Sequence, residues 1–286
     1  MQRHQFDAMG TWVECFVEAP ARPELTAAFR AVEDEFARLE DMLSRFRPES
    51  ELSRLNRNGS IEASQELREL VALALAARKQ TGGRFDPTLH DAVVAAGYDR
   101  TFAELVDDGT STRRPSGGGE VAIRGRHIEL GRNAYLDLGG IAKGYAADRC
   151  APVLAEHGPA LVNAGGDLAV SGPRSDGGPW PVAVDVPGHA LTLALERGGL
   201  ATSGRDRRRW RRDGEERHHL IDPRTLRPAE GGPLSVTVAA ESATAAEVRA
   251  KALFLARDAE HEARRSGTAA VIVSNRGETH VVGVAA

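Results

Sequence analysis

The chain has 286 residues, 41% hydrophobic and 27% charged, an ordinary composition for a globular protein with a full hydrophobic core. Its 41 acidic residues outnumber 37 Lys and Arg, and the net charge of −4 argues against a general nucleic-acid binder. No apolar run approaches the length of a transmembrane helix, so we expect no membrane insertion. The first residues lack a signal-peptide core, and Cys15 and Cys150 make no disulfide or metal pattern, so we expect a cytoplasmic protein.

The N-terminal part is predicted to be one strand followed by two helices. Alternating apolar and polar residues over positions 5–18 predict the strand. Apolar residues at alternating steps of four and three over positions 25–46 predict a helix that packs on a sheet. The second helix is predicted over positions 64–80, with Ser64 as its N-cap and Gly82-Gly83 ending it.

A polar, Gly-rich loop at 107–120 leads into a strand-rich second part. Strands are predicted at 121–123, 127–130, 160–171, 180–187, 191–197, 199–203, 235–239, 269–273 and 279–284. Turn signals at Arg124-Gly125-Arg126 and Asp213-Gly214 predict hairpins, and a helix is predicted at 242–265. Hairpins argue against a purely parallel sheet, so the predicted fold class is α+β, a single domain over 1–286 with two lobes as an alternative.

The most informative segment runs from Asp137 to Asp148, where we predict a strand end, a Gly139-Gly140 turn and a helix start. A helix N-terminus suits a phosphate, and Lys143 in the first turn would add a full positive charge. The helix dipole disfavours a lysine there, so a bound anion would explain it. In the alternative interpretation the glycines only make a tight turn and Lys143 points to solvent.

Four more short motifs place polar groups at predicted turns. They are Gly83–Thr88, Val162–Asp167, Ala201–Gly204 and His218–Thr225. A single histidine is usually structural, and two in a row beside the Asp222-Pro223 turn favour a functional role only modestly.

These motifs resemble, in order and over nearly the whole chain, those of the ApbE family, the FAD:protein FMN transferases. The resemblance also includes Ala8–Thr11, Leu43–Phe46, Ser50–Asn56 and Ser235–Val238. It implies an α+β ApbE-like fold, with mixed sheets, hairpins and flanking helices around a flavin cleft. It also implies an enzyme that binds FAD, cleaves its diphosphate with the help of Mg²⁺, and moves FMN onto a Thr or Ser hydroxyl of an acceptor flavoprotein, releasing AMP.

The resemblance assigns site residues by position. The flavin-site positions are Met9, Phe46, Arg84, Phe85, Asp86, Asp137, Lys143 and Ile221. His219 matches the family histidine near the transferred phosphate and would be the catalytic base. Phosphoryl transfer depends mainly on charge neutralisation and alignment, which these residue types can supply. Phe46 stands where the family often has Tyr, so the ring is kept and the hydroxyl is lost.

The metal site departs further from the family. By resemblance it comprises the main-chain oxygen of Gly140, an Asp, and a Thr four residues later, but this chain has Glu247 and Lys251 at the last two positions. In one interpretation these two residues are an ordinary helix ion pair worth about 0.2–0.5 kcal/mol. In the other, the Lys251 ammonium takes the place of Mg²⁺ at the FAD diphosphate, with Glu247 holding it. Lys251 is one of only three lysines in the chain.

Alternatives to transferase activity therefore remain open at this point. A non-catalytic FAD-binding protein and an FAD diphosphatase giving FMN and AMP both accommodate the altered metal site. The arginine-rich run at 205–212 could be a nucleic-acid patch. The acidic net charge argues against such a patch. We expect instead a solvated hairpin whose arginines also meet an acidic partner protein or the FAD diphosphate.

Overall fold

A computed structural model describes residues 1–105, 114–212 and 214–283. The chain divides into two compact units, each assembled from separated stretches. Unit 1 comprises Met1–Glu40, Ile141–Ser203 and Gly232–Ala286, and unit 2 comprises Asp41–Gly140 and Gly204–Gly231. In the described part of the chain, no helix combines the length and the apolar character needed to cross a membrane.

The structure contains both helices and strands in quantity. The helices are α1 Pro23–Leu43, α2 Glu51–Asn58, α3 Gln65–Gln80, α4 His90–Ala95, α5 Ala142–Ala155, α6 Ala243–Phe254 and α7 Ala259–Ser266. The strands are β1 Gln2–Ala8, β2 Thr11–Val17, β3 Ser60–Glu62, β4 Val121–Arg124, β5 His127–Leu130, β6 Ala160–Ala164, β7 Asp167–Val170, β8 Trp180–Val186, β9 His189–Leu195, β10 Gly198–Gly204, β11 Arg209–Arg212, β12 Glu215–His218, β13 Ile221–Asp222, β14 Arg227–Pro228, β15 Ser235–Ala240, β16 Ala269–Val273 and β17 Thr279–Val282.

Unit 1 is built on an eight-stranded sheet in the order β1-β2-β6-β7-β10-β15-β16-β17. The pairs β1–β2, β2–β6, β6–β7, β7–β10, β15–β16 and β16–β17 are antiparallel. The hairpin β8–β9 contributes the alternate inward residues of both strands to an apolar cluster with the sheet. The predicted α+β class, with hairpins rather than a purely parallel sheet, is confirmed.

Helices α5 and α6 pack against each other at unusually close range. A Cβ added at Gly144 would lie only 2.6 Å from the carbonyl oxygen of Ala243, so only glycine allows this approach. One turn later, the Asp148 carboxylate accepts hydrogen bonds from the N–H groups of Ala243 and Thr244, both at 2.8 Å. It thereby satisfies donors that would otherwise be left unpaired at the start of α6. The two contacts fix the register of α6 along α5.

Unit 2 has smaller sheets, β3-β5-β4, β11-β12 and β13-β14, together with α2, α3 and α4. One of its apolar clusters contains Leu89, Ala92, Val93, Ala96, Trp210 and Ile221. The indole N–H of Trp210 donates to the Ala96 carbonyl at 2.9 Å, so this buried ring is satisfied. The cluster fixes the β11-β12 hairpin and the start of β13 against α4.

Three predicted elements are in fact pairs of elements. The predicted strand 5–18 is the β1–β2 hairpin, which turns at Met9 and Gly10 with φ of 52° and 67°. The predicted strand 160–171 is the β6–β7 hairpin, which turns at Gly165-Gly166. Both two-residue turns preserve the alternation of apolar and polar residues, so the sequence pattern predicts a single strand in each case. The predicted helix 242–265 is interrupted after Phe254, and α7 begins with its own N-cap, Asp258.

Most other elements agree with the sequence prediction within a few residues. Ser64 caps α3 by accepting the Leu67 N–H at 3.2 Å. The predicted strand end before Gly139 is irregular backbone instead. The backbone N–H of Asp137 donates a hydrogen bond to the Pro87 carbonyl rather than to a neighbouring strand. Residues 107–113 of the predicted Gly-rich loop, Asp213 of the β11–β12 turn and the last residue of the predicted strand 279–284 lie outside the described residues.

Candidate functional site

Unit 1 holds a buried ionic cluster centred on Lys143. Its ammonium lies 2.7 Å from Oδ2 of Asp167 and 2.6 Å from Oε1 of Glu247. The other Glu247 oxygen, Oε2, accepts the backbone N–H of Gly144 at 3.0 Å. The side chains of Lys143, Asp167 and Glu247 are only 15%, 5% and 3% exposed. One ammonium therefore joins two carboxylates in a site with little water.

Each member of this cluster is placed by an adjacent turn or helix start. Lys143 is the second residue of α5, and Asp167 begins β7 directly after the Gly165-Gly166 turn. The Asn163 side chain closes that turn by accepting the Gly166 N–H at 2.9 Å. Glu247 stands on α6, whose position against α5 is fixed by the close contact at Gly144.

Lys251 belongs to the same electrostatic group. It follows Glu247 by four residues on α6, so the two share a helix face, and it interacts electrostatically with both Glu247 and Asp167. Burial raises the pKa of Asp167 to about 6, against the opposing effect of Lys143. Burial also acts to raise the pKa of Glu247, but Lys143, Lys251 and the Gly144 N–H outweigh it and lower that pKa. Two carboxylates and two lysines thus meet in one cluster.

The surroundings of Lys143 correct one sequence-based expectation. The helix start is confirmed, since α5 begins at Ala142. The interpretation that Lys143 points to solvent is wrong, because its partners are the protein's own carboxylates, Asp167 and Glu247. These partners account for a lysine at this position without a bound anion. Asp167 was missed as a site residue, although a lysine at the positive end of a helix dipole is stabilised by an acidic partner.

The magnesium ion implied by the family resemblance does not fit the side chains of this cluster. Glu247 has both oxygens engaged by Lys143 and Gly144, and at position 251 an ammonium replaces a hydroxyl oxygen. A charged lysine has no lone pair for a metal, whereas Mg²⁺ requires oxygen ligands. Over the described residues, no group of three or more His, Cys, Asp and Glu side chains could hold a metal ion.

In unit 2, Asp137 and Phe46 are linked through Arg45. The Arg45 guanidinium lies 3.1 Å from Asp137 Oδ2 and 4.1 Å from the centre of the Phe46 ring. It also lies 4.6 Å from the Tyr98 ring, so two aromatic rings and a carboxylate surround it. The second Asp137 oxygen accepts the Gly139 N–H at 2.8 Å. Arg45 and Tyr98 were not predicted as site residues, although Arg45 lies within the quoted motif.

The turn carrying Arg84, Phe85 and Asp86 follows α3. Asp86 is paired with Arg78 at 3.2 Å, and it accepts both the backbone N–H and the hydroxyl of Thr88. Phe85 is 3% exposed, and Arg84 is half-buried. Asp86 thus holds its own turn rigid, while its role toward a flavin remains a prediction.

His218 and His219 have different surroundings at the end of β12. His218 is buried, its Nε2 lies 3.0 Å from the Ala229 carbonyl, and its Nδ1 accepts the Leu220 N–H at 3.3 Å. Burial lowers the pKa of His218. His219 is half-buried, and Ile221 is 3% exposed in the cluster around Trp210. His218 is therefore a structural residue, and the more exposed His219 is the candidate for chemistry.

The predicted site residues thus fall into two sets. Those in unit 1 are Met9, Lys143, Glu247 and Lys251. Those in unit 2 are Phe46, Arg84, Phe85, Asp86, Asp137, Gly140, His219 and Ile221. Within unit 1 the structure brings Lys143 and Glu247 into contact, and Met9 occupies the β1–β2 turn. Within unit 2 it links Phe46 to Asp137 through Arg45.

Comparison with known proteins gives these residues a context. The sequence profile of the ApbE family matches residues 9–272. The chain belongs to the ApbE family. The FAD:protein FMN transferase of Salmonella typhimurium is 30% identical over 260 residues, 83% of this chain and 74% of that one. The FAD:protein FMN transferase of Vibrio cholerae is 32% identical over 230 residues, 75% of this chain and 69% of that one.

Solved structures match the ApbE chain in fold. The ApbE protein of Thermotoga maritima aligns with a TM-score of 0.84 at 27% identity, covering 98% of this chain and 96% of that one. The apo form of the Pseudomonas stutzeri flavinyl transferase ApbE aligns with a TM-score of 0.82 at 26% identity, covering 100% and 98%. The ApbE-like fold predicted from the motifs is confirmed.

Proposed function

We propose that the protein transfers FMN from FAD to a Thr or Ser hydroxyl of an acceptor flavoprotein and releases AMP. The observation that carries this proposal is the match to FAD:protein FMN transferases, at 30% identity over 83% of the chain in the Salmonella typhimurium protein. The profile match over residues 9–272 includes every predicted site residue. An oxidoreductase or a nucleic-acid function has no comparable support.

The proposed reaction exchanges the phosphoanhydride bond of FAD for a phosphoester bond to the acceptor. The acceptor hydroxyl oxygen attacks the FMN phosphorus of FAD, and the bond from that phosphorus to the bridging oxygen breaks. AMP leaves with the bridging oxygen, and the hydroxyl proton passes to the imidazole of His219. A general base in this position contributes about 10²–10⁴-fold to such a reaction. The neighbouring His218 is held between Ala229 and Leu220 and stiffens the segment that carries His219.

The flavin ring system requires a flat apolar surface, and Phe46 is the leading residue for it. The Arg45 guanidinium already covers one face of this ring at 4.1 Å. A flavin stacked on Phe46 would therefore use the opposite face. Arg45 is in turn held by Asp137, which gives Asp137 a positioning role toward the ring.

AMP release tests the proposal and separates it from its alternatives. The protein is incubated with FAD alone, with FAD and a flavoprotein bearing the acceptor hydroxyl, or with FAD and the same flavoprotein carrying Ala at that position. We expect AMP release only with the hydroxyl-bearing acceptor, and none when NAD replaces FAD. Equal AMP release in all three mixtures would identify an FAD diphosphatase. Saturable FAD binding without AMP would identify an FAD-binding protein, and either result overturns the proposal.

A further inference from the structure

The cluster in unit 1 brings together two acidic and two basic side chains. Lys143 contacts Asp167 and Glu247 at 2.7 and 2.6 Å, and Lys251 lies on the same face of α6 as Glu247. Lys251 is half-buried, whereas the third lysine of the chain, Lys79 on α3, is exposed. Two of the chain's three lysines therefore lie in this one cluster, although the chain has 37 Lys and Arg residues in total.

The formal charges of the cluster balance without any ion. Asp167 and Glu247 contribute two negative charges, and Lys143 and Lys251 contribute two positive ones. Buried carboxylates need positive charge nearby to offset the cost of burial. A divalent cation and two ammonium groups supply the same total positive charge. A divalent cation added here would meet two ammonium groups and would leave the cluster with an excess of positive charge.

We propose that Lys251, beside the bridge that Lys143 makes, takes the place of the divalent cation, so that this member of the family folds and works without magnesium. Lys143 is the ammonium that bridges the two carboxylates, and Lys251 supplies the second positive charge from one helical turn beyond Glu247. The inference deepens the proposed function, but only its FAD arm rests on that function. Its metal arm concerns the protein alone.

The metal arm is tested by titrating MgCl₂ into EDTA-treated, metal-free protein by calorimetry, with melting temperatures in parallel. We expect no binding heat and an unchanged melting temperature for the wild-type protein and for the exposed control Lys79→Thr. The variant Glu247→Asp/Lys251→Thr removes one ammonium and provides oxygen ligands on the same helix face. At about 100 times its dissociation constant, Mg²⁺ should raise the melting temperature of this variant by about 5–11 °C.

Two results overturn the inference. One is a wild-type protein that binds Mg²⁺ or loses melting temperature in EDTA. The other is a folded Glu247→Asp/Lys251→Thr variant with no Mg²⁺ response, since Lys251 would then not stand in the cation's place. Should the double variant not fold, the wild-type titration decides alone, and Lys251→Arg, which keeps the charge, should remain insensitive to Mg²⁺.

The FAD arm compares the wild-type affinity for FAD in EDTA and in Mg²⁺ by flavin fluorescence. We expect the two dissociation constants to agree within about twofold, because the same ammonium charges are present in both buffers. A tenfold or greater loss in EDTA contradicts the inference. Absence of FAD binding in both buffers contradicts the proposed function and leaves the metal titration to decide the cluster.

Discussion

His218 and His219 differ in what surrounds them, and this difference supports the separate roles proposed for them. The two ring nitrogens of His218 are occupied by the Ala229 carbonyl and the Leu220 N–H, which suits a neutral imidazole carrying its proton on Nε2. His219, next along the chain, is half-buried. Its neighbour on the other side, Leu220, is 1% exposed, so the segment is anchored on both sides of His219.

Replacement of His219 should therefore affect the reaction more than the binding of FAD. We expect His219→Ala to lower the rate of FMN transfer by about 10²–10⁴-fold, with FAD affinity unchanged within a few-fold. His218→Gln is the neighbouring control and should retain most of the transfer rate. Initial rates of AMP release and fluorescence titrations with FAD measure the two quantities. An FAD affinity that falls as far as the rate would make His219 a binding residue.

His218 should make the stability of the protein depend on pH. Burial lowers its pKa in the folded state below the ordinary value near 6.5, so the unfolded chain takes up the proton first as pH falls. The stabilisation is fully present above about pH 6.5 and is lost as pH falls toward the lower folded pKa. For one proton the slope is at most about 1.4 kcal/mol per pH unit.

Urea unfolding of wild type and His218→Gln between about pH 5 and 8 measures this contribution. The free energy of unfolding of the wild type should fall relative to that of the variant only on the acid side of this range. Since the other eight histidines are common to both proteins, they cancel in the difference. Parallel curves would mean that His218 titrates alike in the folded and unfolded states.

At the scale of elements, the α5–α6 contact at Gly144 decides where Glu247 sits. Replacing a helix glycine by alanine ordinarily stabilises by roughly 0.5–1 kcal/mol. At Gly144 the new Cβ would lie 2.6 Å from the Ala243 carbonyl oxygen, and backbone atoms cannot move aside like the end of a side chain. We expect Gly144→Ala to destabilise the protein by about 1–3 kcal/mol instead.

The control for this substitution is Gly178→Ala in the same unit. There the nearest atom to the new Cβ is a side-chain oxygen of Asp176 at 3.1 Å, which can move aside. Its effect should stay within about 0.5 kcal/mol in denaturant unfolding. A stabilised Gly144→Ala variant would show that the two helices can separate at no cost, contrary to the packing described.

Helices and strands can be predicted from the sequence where the spacing of apolar residues is strongly periodic. Their ends cannot be predicted where a turn leaves that spacing unchanged. The four-three spacing of α1 and the Ser64 cap of α3 were sufficient to predict both helices. The Met9-Gly10 turn went unnoticed because Met9 takes φ of 52°, a conformation that a non-glycine residue rarely adopts. The break between α6 and α7 contains neither Gly nor Pro, and only Asp258 signals it.

At the scale of the whole molecule, the predicted residues could be recognised from the motifs, but their partners could not. Lys143 meets a carboxylate 104 residues away, and no local pattern encodes such a contact. The Arg45–Asp137 pair likewise joins distant parts of unit 2. Conversely, the sequence alone shows that residue 251 is a lysine. The electrostatic role of this lysine depends on the charged side chains that the fold places beside it.

The proposed transfer of FMN by this ApbE chain is tested most directly by the intact mass of the acceptor protein. After incubation with FAD and the protein, the acceptor should gain the mass of one FMN less one water, joined through a phosphoester to Thr or Ser, with one AMP released per acceptor modified. The acceptor carrying Ala at that position and the His219→Ala protein serve as controls and should give little or no product. An unmodified acceptor in the presence of bound or hydrolysed FAD would contradict the proposed FMN transfer.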